Sequence, residues 1–330
     1  MNLYKKKALA LFSGGLDSMI ATKLLSDQNI EVIALHMDIG FGSKTDITQT
    51  LRNRAALAGA RLEVIDVKEE YLNEVLFNPK YGYGKNFNPC IDCHGYMFKI
   101  AASFLDKFDA DFIISGEVLG QRPMSQRSDA MRSVVKLSKI EEDIILRPMS
   151  AKQMPLTKPE REGWVDRDKL LGITGRGRDT QLRLAQEFGW DDFQSPGGGC
   201  LLTDPRFSEK LKEFLQYEKL NVTDIGILKA GRHLRLSDGA KLVIGRDKEE
   251  NDLLENNQNE KFISLKAYDI SGPYALLSSN ASEEDKNLAA KLILTFCKTK
   301  PQEVYTVRVG EQKIQASPLK TRQEAHRYLI

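Results

Sequence analysis

The sequence predicts an α/β protein: a doubly wound parallel sheet followed by a second, smaller α+β domain. Three observations carry this expectation. Runs such as Ala8-Leu-Ala-Leu-Phe12 and Glu31-Val-Ile-Ala-Leu-His-Met37 are apolar with little polar alternation, as strands buried on both faces are. Stretches with helical spacing lie between such runs, which is the pattern of strand–helix–strand units. From about Phe207 the texture changes to one amphipathic helix and several short strands joined by tight turns. No internal repeat is present.

Taken in order, the first strand (residues 8–12) runs into Ser13-Gly-Gly-Leu-Asp-Ser18 and then into a helix bearing Met19, Ile20, Leu24 and Leu25. The second strand, 31–37, ends in the loop Asp38-Ile-Gly-Phe-Gly42. Residues 44–59 read as a helix, with Leu51, Ala55 and Ala58 on one face. Strands at 61–67, 111–115 and 143–147 follow, the fourth entering Gly116-Glu117. In open parallel sheets ligands sit beyond the carboxyl ends of the strands. Residues 13–18, 38–42 and 116–121 all fall there. We place a boundary near Pro205, giving domains 1–205 and 206–330. The second domain reads as a helix carrying Phe207, Leu211, Phe214 and Leu215, then strands at 233–236, 241–244 and 262–265. A turn at 237–239 joins the first two of these strands. A polar stretch covers 247–261, and a helix over 283–299 precedes closing strands at 304–309 and 312–316.

A length of 330 residues favours two domains, and a hydrophobic fraction of 41% suffices for ordinary cores. No run approaches the length of a membrane span, so no membrane partner is expected. The basic-then-apolar start resembles a weak signal peptide, but Ser13–Ser18 interrupts the apolar segment, so a first strand is the better reading. A net charge of +2 does not demand nucleic acid, although local basic patches can bind it. Four cysteines are too few for a disulfide scaffold, and a cytoplasmic protein is expected.

Strand, paired glycines and helix are where an α/β protein holds a phosphate. Gly14 and Gly15 let backbone N–H groups approach an anion, Ser13 and Ser18 add hydroxyl donors, and the helix contributes its positive end. The Gly-Lys-Ser/Thr ending of a Walker A loop is missing, so γ-phosphate chemistry is not expected. A plain strand–turn–helix corner is the alternative. Cys90-Ile-Asp-Cys93 precedes a helix over 95–108, a position that lowers thiol pKa and suits metal or redox work. Cys200 follows three glycines, which imply a tight backbone presenting its sulfur. Three cysteines can hold three irons of a [4Fe–4S] cluster and leave the fourth open. A persulfide or disulfide relay, a zinc site completed by His94, and a purely structural set are the alternatives. Cys297 lies on an apolar helix face beside Leu294 and Phe296 and reads as core. In the loop after the fourth strand, Glu117, Gln121 and Arg122 are candidate nucleotide or substrate contacts, with Arg122 placed to stabilise α-phosphate charge. Arg176 and Arg178 lie in a Gly/Arg loop that either meets phosphates or is simply solvated. His36 reads as buried structure, and His233 and His326 carry no partner pattern.

The Ser13–Ser18 string resembles the PP-loop of ATP pyrophosphatases, which grip the pyrophosphate of ATP and transfer AMP to a substrate oxygen. Together with Asn88-Pro89, Cys93 and Cys200, residues 5–205 are similar to tRNA sulfurtransferases of that superfamily. Asn-Pro followed by Cys93 resembles the motif of tRNA 2-thiouridylases, and Cys200 matches their second cysteine in rough position. That family often has Asp where Cys90 stands. The Cys-x-x-Cys with a distant cysteine instead resembles the iron–sulfur branch, which thiolates tRNA cytidines and uridines. Nothing resembles the N-terminal RNA-binding domain of 4-thiouridine synthases.

The resemblance implies an ATP-dependent enzyme that adenylates a nucleobase carbonyl oxygen, releases pyrophosphate and then transfers sulfur. It implies Asp17, Cys93, Cys200 and Arg122 as catalytic residues. Ser13, Gly14, Gly15, Asp17, Ser18, Asp38, Gly116 and Glu117 would bind ATP, with Asp17 helping to place Mg²⁺. Cys90, Cys93 and Cys200 would bind a [4Fe–4S] cluster, with zinc as the alternative. The implied partners are tRNA and a sulfur donor, either sulfide or a persulfide carrier. The oligomeric state stays open, a homodimer included. The string 241–252, with Ile270–Tyr274 and Ala289-Ala290, resembles the NFACT-R domain, regarded as RNA-binding. It would make Arg246, Lys248, Lys266 and Tyr274 candidate RNA contacts. A small-molecule amide or nitrile synthetase would not need three cysteines, and a non-catalytic RNA or nucleotide adaptor would not need Asp17. These two remain the competing functions.

Overall fold

The computed structural model describes residues 5–43, 45–193 and 199–330. The chain divides into two compact units, Met1–Asp204 and Pro205–Ile330.

The first unit is built on a five-stranded, wholly parallel sheet in the order β3-β2-β1-β4-β5. Its strands are β1 (Lys7–Leu11), β2 (Glu31–Asp38), β3 (Ala60–Asp66), β4 (Phe112–Ser115) and β5 (Ile145–Leu146). The chain steps outward from β1 to β3 and then returns to the other side of β1, so the topological switch lies between β1 and β4. That is where such sheets open a crevice. The central strand shows why no polar alternation appears in the sequence. Ala8 and Ala10 pair with Val32, Ala34, Phe112 and Ile114 on one face, while Leu9 pairs with Ile33 and Ile113 on the other. All of these are buried, so both faces are covered and neither needs polar residues.

Helix α1 (Leu16–Ser26) starts at Gly15, whose extended backbone is the N-cap; Asp17 lies in its first turn and Lys23 in its last, as the helix dipole favours. Met19, Ile20 and Leu25 are fully buried, each contributing about 1.5–3 kcal/mol of transfer free energy. The chain leaves this helix through Asn29 in the left-handed region, φ 62°. Helices α2 (Thr48–Leu57), α3 (Cys90–Ser103), α4 (Ser128–Ser138) and α5 (Asp179–Glu187) complete the unit's main elements.

Several expected boundaries shift. The second expected helix begins at Thr48 rather than 44, and Lys44 lies outside the described residues. The fifth strand shrinks to two residues, because residues 142–144 turn as a 3₁₀ helix before it. Most consequential, α3 begins at Cys90 itself rather than at 95, so the Cys-x-x-Cys occupies its first turn.

The second unit is a six-stranded antiparallel sheet in the order β11-β10-β8-β9-β7-β6. Its strands are β6 (Arg232–Arg235), β7 (Lys241–Ile244), β8 (Phe262–Ala267), β9 (Tyr274–Ser278), β10 (Tyr305–Val309) and β11 (Gln312–Ala316). Helices α6 (Pro205–Leu215), α7 (Val222–Lys229), α8 (Lys248–Glu255) and α9 (Glu283–Thr295) accompany it. Leu292, Ile293 and Leu294 of α9 join Leu234, Leu242, Leu265, Leu277 and Val307 in one core. The Ser282 hydroxyl caps α9 by accepting from Asp285 N at 3.0 Å. Asp285 in turn accepts from Asp238 N and Ala240 N, which pins the 237–239 turn onto that helix. The strand β9, the helix α7 and the helix α8 inside the polar stretch 247–261 escaped the sequence reading.

Candidate active site

In the first unit the loop after β1 is a cradle. Gly14 has φ +73°, and a Cβ there would lie 2.4 Å from Leu51 Cδ2, so only glycine serves. Ser18 donates its hydroxyl to Gly15 O at 2.7 Å, and Gly15 N donates to Ser13 Oγ at 3.3 Å. Ser13 itself is exposed, and Arg54 donates to Gly14 O at 3.1 Å from behind. Gly116, at the end of β4, presses against the same turn. A Cβ at 116 would meet Asp17 C and Ser18 N at 2.6 Å.

Asp17 is hydrogen-bonded on one side and faces a guanidinium on the other. Its Oδ2 accepts from Gln121 Nε2 at 2.7 Å, and Gln181 Nε2 donates to Gln121 Oε1 at 3.0 Å. Arg178 stands 3.8 Å from the other oxygen, Oδ1. That oxygen, Gln181 Oε1 and Arg178 Nε are buried with no hydrogen-bond partner among the described residues. A hard carboxylate oxygen with unused acceptor capacity, beside an exposed serine and a helix N-terminus, fits a magnesium–phosphate group. A cavity of about 410 Å³ is lined in part by Ile173, Thr174, Gly177 and Gln181. Gln181 thus reaches both this cavity and, through Gln121, the Asp17 carboxylate.

Two expected nucleotide contacts have other partners. Asp38 accepts from Gly40 N at 2.9 Å and pairs with Lys68 at 2.9 Å. Burial would raise its pKa, but the Lys68 ammonium and the Gly40 amide bring it below the usual carboxylate range. Glu117 is buried between Arg147, 2.9 Å away, and His94 Nδ1, 2.8 Å away. Burial again pushes its pKa up, yet the Arg147 charge and the His94 hydrogen bond hold it at about 2. His94 Nε2 lies 3.5 Å from Ser125 Oγ, so both ring nitrogens face protein groups rather than the cysteines. Arg122 is exposed and makes no ion pair among the described residues.

The three cysteines form a second focus. Asp92, buried in α3, accepts from Lys80 N at 2.7 Å and Tyr81 N at 3.0 Å, which folds the preceding loop against the helix start. Asn88 donates to Cys90 Sγ at 3.1 Å. Cys200 arrives from far along the chain on a strap tied twice: Leu201 N donates to Phe41 O at 2.8 Å, and Asn86 Nδ2 to Thr203 O at 2.6 Å. Residues 194–198, which include Gly197 and Gly198 of the expected tight glycine turn, lie outside the described residues.

The convergence shows in the thiol electrostatics. Burial, then the neighbouring Cys200, pushes Cys93 well above the ordinary thiol range, and a hydrogen bond with Tyr71 opposes this. Burial raises Cys200 to about 11, with Cys90 adding to it. The expectation of lowered pKa at the helix N-terminus is therefore corrected for Cys93: burial and neighbouring sulfur outweigh the dipole. Tyr71 was missed by the sequence reading, since a lone tyrosine after a strand carries no motif. It is buried and packs against Phe41 and Tyr96. Among the described residues, no group of three or more His, Cys, Asp or Glu side chains is arranged to hold a metal ion. All four cysteines are free thiols.

The switch-point loop, its glycines and the parallel sheet are those of a known class. The family model described as the Arginosuccinate synthase N-terminal HUP domain matches residues 7–81. The amino-terminal unit carries a PP-loop HUP domain. The model described as the NFACT protein RNA binding domain matches residues 231–328, within the second unit.

A tRNA-specific 2-thiouridylase MnmA from Petrotoga mobilis is 32% identical over 131 residues, covering 34% of this chain and 36% of that protein. An argininosuccinate synthase from Bacillus cytotoxicus is 41% identical over 71 residues, covering 21% of this chain and 17% of that one. The chain thus spans little more than a third of the thiouridylase's length. A 4-thiouridine synthetase, solved as an RNA complex with bound ATP, superposes with a TM-score of 0.44 at 19% identity, covering 68% of this chain and 52% of that chain. No helix among the described residues is long and apolar enough to cross a membrane.

Proposed function

We propose that this protein is an ATP-dependent tRNA sulfurtransferase. The observation that carries the reading is the pairing, in one unit, of a phosphate cradle after β1 with three thiols drawn together from Cys90, Cys93 and Cys200. The likeness to tRNA-specific 2-thiouridylases supports tRNA as the substrate. An amide- or nitrile-forming relative would not need the thiols, and a mere adaptor would not need Asp17.

In this reading residues 13–18 grip the β- and γ-phosphates, and Asp17 would help to hold a magnesium ion that neutralises their charge. A nucleobase carbonyl oxygen attacks the α-phosphorus and pyrophosphate leaves. Arg122, exposed on its loop, meets the charge on the α-phosphate. A sulfur nucleophile then attacks the adenylated carbon, and AMP leaves with the oxygen. Sulfide supplies the sulfur directly; where a persulfide on Cys93 or Cys200 attacks instead, the other of these two thiols then breaks the S–S bond, releasing the thiolated base and leaving a disulfide that an external dithiol reduces.

Three thiols are the donor types of a [4Fe–4S] cluster with one iron open, although Cys90, Cys93 and Cys200 as they stand are not arranged to hold a metal ion. Cys90, Cys93 and Cys200 would hold it, and when bound it would supply a site for sulfide. A second reading, a persulfide on Cys93 or Cys200, draws support from the Tyr71 hydrogen bond to Cys93 and from the lack of a metal-holding arrangement among the described side chains. Zinc completed by His94 draws no such support, because that ring is taken by Glu117 and Ser125.

The test has four parts. Asp17→Ala should abolish pyrophosphate release, and full turnover to AMP in that variant would sink the ATP assignment. Nucleoside mass spectrometry of tRNA from a deletion strain should show a missing thiolated base. Anaerobically reconstituted protein should bind about four irons per chain if the three-thiol site is filled. Thiolation that survives Cys90→Ser but not Cys93→Ser or Cys200→Ser would replace the cluster with the relay.

A further inference from the structure

A cavity of about 480 Å³ opens in the carboxy-terminal unit, and of the residues first expected to meet RNA its lining includes Arg246 but not Lys248, Lys266 or Tyr274. Arg232, Arg246, Lys298 and Arg322 line it, with Asn251 and Ser271 adding polar groups. The four cations come from separate places: the start of β6, the β7–α8 connection, the turn after α9 and the short helix Arg322–Ala325. Only the fold assembles them.

The charges there are poorly balanced. Glu250 is bound by the Arg246 guanidinium and also accepts from Arg246 N at 3.0 Å, so it offsets that arginine. Arg232, Lys298 and Arg322 make no ion pair among the described residues. Arg232 is fixed instead by stacking 4.8 Å over the Phe296 ring. Burial and the nearby Arg246 charge push its pKa below the usual arginine value, with Arg322 adding to this and Glu250 opposing it. Like charges held this close are the signature of a site that gains by receiving an anion. Asn251 accepts from Tyr274 N at 2.9 Å through its oxygen, which leaves its amide hydrogens to donate. Volume, cationic lining and neutral donors together suit one phosphate with part of its attached sugar.

By contrast, Lys248 and Lys266 are exposed and lie outside the cavity lining, and Lys266 stands 3.8 Å from Glu255.

We propose that this cavity is a phosphate seat for RNA, in which Arg232, Lys298 and Arg322 with Asn251 hold one backbone phosphodiester. This rests on the reading of tRNA as the substrate.

The test uses the full chain and fluorescently labelled tRNA, titrated at several salt concentrations. Lys298→Gln with Arg322→Gln removes two exposed cations without disturbing the core. The double variant should bind tRNA about tenfold more weakly, with a slope of log affinity against log salt shallower by about 0.7–0.9, the value for one phosphate contact. Lys248→Gln with Lys266→Gln should stay within about twofold of the parent, as expected of charges outside the contact.

If the parent binds tRNA and Lys298→Gln/Arg322→Gln binds it equally well, the phosphate seat is wrong while the tRNA reading stands. A parent that does not bind tRNA overturns both. Inorganic phosphate provides the last arm. Calorimetric binding of phosphate alone that is lost in Lys298→Gln/Arg322→Gln, with tRNA affinity unchanged, would mark a free-phosphate site and overturn the RNA assignment.

Discussion

A methyl group at residue 116 has no room. Gly116 closes β4 directly against the Asp17–Ser18 peptide, so an added Cβ at 2.6 Å meets backbone that cannot swing aside. Gly116→Ala should therefore push the start of α1 away from β4, costing about 1–3 kcal/mol of stability. The same shift deforms the cradle, so nucleotide affinity should fall as well. Urea unfolding and a nucleotide titration on the variant check this; unchanged affinity would show that the two strand ends move independently. The importance of Gly14 was legible in the sequence, because a strand, two glycines and a helix announce a turn. That Gly116 touches that turn was not, since Ser18 and Gly116 lie far apart along the chain and no local pattern records the contact. Tyr71 escaped for the same reason.

At the scale of elements, α3 is tied to the end of β4 by a hydrogen bond to a buried carboxylate. His94 lies one residue after Cys93, and its ring reaches Glu117, which Arg147 holds from beyond β5. The sequence marked Glu117 as a ligand contact because it follows a strand end; the structure makes it the hub of a buried network. Glu117 sits at about 2 in the folded chain against an ordinary 4.5. Its stabilising contribution is therefore complete above pH 4.5 and drains away as pH falls toward 2. A shift of that size corresponds to about 3 kcal/mol. Glu117→Gln should destabilise the unit by about 3–5 kcal/mol at pH 7, because Arg147 is left buried without its counter-charge. The gap between variant and parent should narrow as unfolding is measured at progressively lower pH below 4.5. A gap that stays constant down to pH 2.5 would remove Glu117 from this role.

Over the whole molecule, the division at Asp204 and Pro205 separates a parallel sheet from an antiparallel one, each with its own core. Calorimetry should accordingly resolve two transitions. A non-hydrolysable ATP analogue at a hundred times its dissociation constant should stabilise only the first unit, by about 2.7 kcal/mol. For a unit of that size this raises one transition by about 5–10 °C and leaves the other in place. A single transition that moves as a whole would show that the two units unfold together.

By itself the sequence determined the class of the protein and the place of its chemistry. Apolar strands without alternation need cover on both faces, so they imply a parallel sheet, and the loops at their carboxyl ends follow from that geometry. The glycine cradle and the Cys-x-x-Cys were readable because each is local, its function residing in neighbouring residues. The tertiary structure decided everything that depends on distance along the chain. It brought Cys200 to Cys90 and Cys93 by tying its strap to Phe41 and Asn86. It reversed the expected softening of the Cys93 thiol, because burial is a property of the surroundings rather than of a helix position. It also gathered Arg232, Lys298 and Arg322, which no motif links, around one cavity. Charge and burial act through space, and the sequence records only neighbours along the chain.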